Sequence, residues 1–166
     1  FILTAALLYV AWEVFYELWL HPNRNFELLL VDHITWTSSL ILKLLGFDLI
    51  PSEILSRHVR TLGIDGTLGV FISDDCAGVP LLALFAGFVV AYPGPIKKKL
   101  IFIPFGLITI HFINILRIVA LCLIVFYAPG KLEFNHHYTF ILIVYSYIFL
   151  LWVFWVSKLS KQNHNK

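Results

Sequence analysis

The sequence predicts an all-α fold: a polytopic membrane helix bundle of about four transmembrane helices, with one more amphipathic helix lying in the outer interface. Three observations predict it. The chain of 166 residues is 60% hydrophobic and only 13% charged, where a soluble domain carries about a quarter charged residues. Apolar runs recur at 1–20, 79–92, 100–128 and 138–156, all but 79–92 reaching the length of about 20 residues that crosses a bilayer. Between them, 26–45 shows a helical apolar period with polar residues on the other face. Residues 1–156 read as a single integral membrane domain and 157–166 as a cytoplasmic tail.

Each element has its own justification. The helix over 1–20 carries Glu13 and Glu17 one turn apart. No small-residue cleavage site precedes His21-Pro22, so it reads as a span rather than a leader. Residue 1 is Phe and no Met is present, so an upstream start is expected. In 26–45, Phe26, Leu29, Leu30, Ile34, Thr37, Leu40, Ile41, Leu44 and Leu45 share one face. Glu27, Asp32, Thr35, Ser38 and Ser39 lie elsewhere. The expectation is a helix lying flat with its polar face in water; a crossing helix is the alternative. Residues 46–75 are polar and glycine-bearing, an extracytoplasmic segment whose broken alternation over 54–70 suits a short hairpin or loop. The run 79–92 ends at Pro93-Gly94-Pro95, a helix stop. It is short, and counting from Leu68 lets it reach across. The run 100–128 tolerates Pro104 near its start. The run 138–156 ends on Trp152 and Trp155, as interfacial anchors do.

Charge sets the topology. Lys97-Lys98-Lys99 sits in a short loop, and Lys158, Lys161 and Lys166 follow the last span. Both groups belong inside by the positive-inside rule, and the lysine triplet is expected to have no further role. Cys76 then lies at the outer end of 79–92, and His136 and His137 at the outer end of 138–156. Arg117 follows Lys99 by 18 residues, about 27 Å of helix, near the outer boundary of a hydrocarbon core of about 30 Å. Three chemically capable residues, far apart in sequence, reach one depth.

Their types suit thiol acyl transfer. Cys76 follows Asp74-Asp75 and precedes Gly78 at a helix start, where the positive end of the helix dipole favours a thiolate nucleophile. Arg117 is a charge in an apolar run and marks function by default; it suits an oxyanion or a substrate carboxylate. Asn114 lies one turn earlier on the same face. His136 or His137 can take the thiol proton and return it to a leaving amine. Asp74 and Asp75 are candidates to cap the helix or orient a histidine. Cys122, mid-run, reads as a small packing residue. No HExxH or CxxC spacing is present, so neither metal nor cofactor is expected. A net charge of +2 without a basic stripe excludes nucleic acid.

Cys76-Ala77-Gly78, then Asn114-Ile115-Leu116-Arg117, then His136 or His137 form an ordered trio that resembles the exosortase/archaeosortase family. These are polytopic membrane enzymes described as cysteine transpeptidases, analogous in role to sortases but unrelated in fold. The resemblance covers roughly 50–156 and points to a compact variant. Asp74 keeps the acidic residue two before the cysteine. Ala77 and Pro80 stand where many members have serine and arginine. No Gly-Trp follows the histidine, which leaves His136 and His137 open with His136 preferred. The resemblance implies a cysteine peptidase or transpeptidase of the cell's inner membrane. Its site is on the extracytoplasmic side, and it acts on exported proteins with a C-terminal transmembrane sorting tail. Cys76, Arg117 and His136 are the implied catalytic residues. A non-enzymatic membrane scaffold or assembly factor is the alternative. A transporter is a third reading; the inverted repeat it needs is not found.

Overall fold

The computed structural model describes residues 9–12, 14, 16, 18, 25–51, 54–56 and 59–160. The predicted span over 1–20, with Glu13 and Glu17, lies largely outside them, as do the last six residues of the predicted tail. The molecule is mostly helical. Helix α1 is Asn25–Leu44, α2 is Val79–Ala91 and α3 is Ile96–Tyr127. A last helical run, α4, covers Pro129–Leu159. Contacts divide the chain into two compact units.

One unit comprises Phe1–Asn23, Val79–His111 and Tyr145–Lys166. It is built on aromatic packing. Phe88 stacks on Trp152 at 4.5 Å between ring centroids, and Phe102 on Trp155 at 5.3 Å. Trp155 is fully buried, so it packs as core here rather than anchoring at an interface as expected. Lys98 Nζ donates to the Leu159 carbonyl and Lys99 Nζ to that of Val90. The lysine triplet therefore also satisfies helix-end carbonyls, which its reading as a pure topology signal omitted. Helix α3 starts at Ile96, earlier than expected, because the Pro95 carbonyl accepts from Lys98 and Lys99 N–H. Pro104 thus lies inside α3.

Gly106 lets Phe85 close on α3. A Cβ there would lie 2.1 Å from Phe85 Cζ. Gly106→Ala is expected to lower the thermal midpoint of the detergent-solubilised chain, with overpacking of about 1–3 kcal/mol. Gly87→Ala, whose Cβ would meet nothing within 4 Å, is the control and is expected to be neutral or mildly stabilising.

The second unit comprises Arg24–Gly78 and Phe112–Val144. Helix α1 ends where Gly46 turns left-handed, with Gly46 N–H on the Lys43 carbonyl and Phe47 N–H on that of Leu42, a Schellman end. Within 46–75, where 54–70 is expected as a short hairpin or loop, the chain forms a three-stranded antiparallel sheet, which an all-α fold did not include. Its strands are β1 (Ile54–Ser56), β2 (Val59–Leu62) and β3 (Val70–Ser73), in that order. The β2–β3 register runs from Val59 opposite Ser73 to Leu62 opposite Val70. Val31, Ile34 and Leu42 of α1, Leu62 and Ile72 of the sheet, and Ile118 and Leu121 of α3 are fully buried.

Helix α1 departs from the expected faces. Glu27 is 2% exposed, Thr35 and Ser38 are buried, and Ser38 Oγ donates to the Ile115 carbonyl. Leu29, Trp36 and Leu40 are exposed, and Leu44 is 79% exposed. Glu27, Thr35 and Ser38 of the expected polar face thus lie inside with Val31, Ile34 and Leu42, while Asp32 stays exposed. Apolar side chains also cover the outside of α3 and α4, including Ile101, Ile108, Leu142, Phe149 and Leu150. A water-exposed surface rarely carries so continuous an apolar cover, whereas lipid accepts it at no cost.

Of the expected spans, α3 and α4 are long and apolar enough to cross a membrane. Helix α2 has 13 residues, about 20 Å, short of a bilayer core of about 30 Å. Its reach cannot be extended helically from Leu68, because 70–73 are strand and Asp74–Ala77 a 3₁₀ turn.

Candidate functional site

Every sequence-predicted site residue from Asp74 to His137 belongs to the second unit. Strand β3 ends at Ser73 and the chain tightens into the turn Asp74–Ala77, closed by left-handed Gly78 at φ 72°. Cys76 thus lies in the turn just before α2, with Gly78 between them in the chain. Cys76 is 7% exposed. Asp74 and Asp75 form the backbone of that turn; their side chains lie outside the described residues.

Asn114 holds the turn from α3. Its Nδ2 donates to the Cys76 carbonyl at 2.6 Å, and the residue is 4% exposed. Gly78 completes the fit, because a Cβ there would stand 3.1 Å from that same Nδ2. Asn114 Oδ1 is buried and accepts from no described residue. Ser73 is a neighbour that sequence reasoning missed: its Oγ lies 3.9 Å from Cys76 Sγ. An ordinary serine ending a strand gives no signal of that.

One turn along α3, Arg117 Nη2 lies 3.2 Å from His136 Nε2. A guanidinium only donates. Nε2 is therefore the lone-pair nitrogen, the ring is neutral and its proton is on Nδ1. Arg117 is half-buried, and its Nε is buried with no partner among the described residues. His136 stands in a π-helical turn, Asn135–Thr139, closed by Phe140 N–H on the Asn135 carbonyl. Such wide turns shift the helix face and recur at functional sites. His137 turns away, with Nδ1 3.1 Å from the Glu133 carbonyl, and is exposed.

Two positions one turn apart on α3 thus hold different partners, Asn114 the cysteine turn and Arg117 His136. Among the described residues no bond joins Cys76 to His136 directly. Cys122 does not join the site: it is buried, with Sγ donating to the Leu62 carbonyl at 3.7 Å. No group of three His, Cys, Asp or Glu among the described residues is arranged to hold a metal ion. An apolar cavity of 320 Å³ belongs to the other unit, with Trp12, Ala83, Gly87, Phe88 and Trp152 in its walls; no site residue lines it.

A lipid-faced helical protein with a cysteine turn and an arginine–histidine pair, both reached from α3, defines a class, the membrane proteins with a thiol-bearing polar site. The chain matches the family described as transmembrane exosortase over residues 1–156, and it belongs to that family. No curated protein and no solved structure matches it.

Proposed function

We propose that the chain is a membrane-embedded cysteine peptidase or transpeptidase that removes C-terminal sorting tails from exported proteins at the outer face of the inner membrane. The observation that carries this reading is the paired grip of α3, Asn114 on the Cys76 carbonyl and Arg117 on His136 Nε2.

In the resting state Arg117 occupies the nitrogen that must act as base. A substrate carbonyl takes the arginine N–H and releases Nε2. The imidazole accepts the Cys76 proton, and sulfur attacks the carbonyl carbon while Arg117 stabilises the oxyanion. As the C–N bond breaks, the imidazolium gives its proton to the leaving amine and a thioester remains. Water or an amine then attacks the thioester, passing a proton through the histidine, and the thiol is restored. His136 is the assigned histidine, since His137 is engaged by the Glu133 carbonyl.

The test compares C-termini of membrane and exported proteins from cells carrying the wild-type chain or Cys76→Ala. One or more proteins are expected to keep a C-terminal helix only with the variant. Identical C-termini, with the variant folded and abundant, would turn the reading toward a scaffold whose polar residues serve packing alone.

A further inference from the structure

The sheet of the second unit has two edges, and they are not equivalent. Strand β3 pairs with β2 on one side, and no described residue bonds the backbone on its other side. Alternate residues of such an edge present N–H and C=O groups that any extended peptide can satisfy. This edge leads into the cysteine turn, with the hydroxyl of its last residue, Ser73, 3.9 Å from Cys76 Sγ. The β1 edge is two strand spacings away, about 10 Å. The side chains agree with a role in recognition. Val70 and Ile72 are buried, while Phe71 is 64% exposed on the other face and Leu68, just before the strand, is 95% exposed.

We infer that the β3 edge, Val70–Ser73, receives the substrate's extended segment as a fourth strand and delivers its scissile carbonyl to Cys76, with Phe71 contacting alternate substrate side chains. The inference rests on the peptidase reading above and adds to it where, and in what conformation, the peptide binds. Strand addition bonds backbone to backbone, so it accepts many sequences and leaves selectivity to every second side chain. A strand spacing of about 4.8 Å places a peptide paired at Ser73 within reach of the sulfur.

The experiment uses the full chain carrying Cys76→Ala and Phe71→Cys, with a precursor that retains its tail in Cys76→Ala cells. That precursor receives single cysteines at consecutive positions across the tail junction. Disulfide yield is expected to alternate with period two along it. The same chain with Leu40→Cys, on exposed α1, is expected to give none. A period of three to four, cross-links confined to the tail helix, a homodimer through Phe71→Cys alone, or no cross-link despite an accumulated precursor would each overturn strand addition and leave the peptidase reading standing. If no precursor accumulates with Cys76→Ala, the peptidase reading itself fails and strand addition falls with it.

Discussion

Arg117→Ala is expected to reduce precursor processing by about 100- to 1,000-fold, the usual effect of removing one oxyanion donor, without reducing alkylation of Cys76 by iodoacetamide. On the proposed mechanism the two readouts diverge because Arg117 has two jobs. It lies on His136 Nε2 in the resting chain, so its removal frees the base and leaves the thiol at least as reactive toward a small alkylating agent. A peptide carbonyl, in contrast, loses the group that holds its developing charge. A merely structural arginine would move both readouts together with the thermal midpoint. Arg117→Lys is expected to fall between, since an ammonium keeps the charge and loses the planar fork that reaches two partners. Undiminished processing by Arg117→Ala would sink the assignment.

Asn114→Leu is expected to lower processing by about 100-fold, the effect of a misplacement of about 1 Å at the reacting group. Leucine keeps the branching and the number of side-chain heavy atoms and brings no donor. The Cys76 carbonyl, which Nδ2 meets at 2.6 Å, is left buried and unpaired at a cost of about 1–3 kcal/mol, and the turn is free to shift the sulfur. Asn114→Asp is expected to be worse, because a carboxylate only accepts and would face a carbonyl oxygen. Processing rate is measured beside the thermal midpoint of the solubilised chain. A variant that is destabilised yet processes at the wild-type rate would show that Asn114 supports the fold and does not position the thiol.

Much of the candidate site is legible in the sequence. Cys76, Asn114, Arg117 and His136 stand out because each is chemically out of place: a thiol after acids, a charge and an amide in an apolar run, a histidine pair opening one. How they meet is not legible there. Asn114 serves the Cys76 backbone from 38 residues away, and Arg117 takes His136 from 19. Helix positions alone put Cys76 at the start of a helix; the structure puts it in a separate turn closed by the left-handed Gly78. The preference for His136 over His137 rests on their partners, Arg117 for one and the Glu133 carbonyl for the other, which leave no mark in composition.

The sequence by itself determined membrane character, the placement of the long helices and the order of the polar residues. Hydropathy and charge add up locally, and a helix satisfies its backbone within its own segment. Only the tertiary structure decided which face of α1 is inside. The period of its polar residues is the same whichever way the helix faces, and water would bury the leucines while lipid lets Glu27, Thr35 and Ser38 turn inward. It also decided that 46–75 closes into a sheet ending at the cysteine turn. Strand pairing joins distant residues, Val59 with Ser73, through backbone groups that every residue carries, so the broken alternation over 54–70 suggests a hairpin and does not give the third strand or its register.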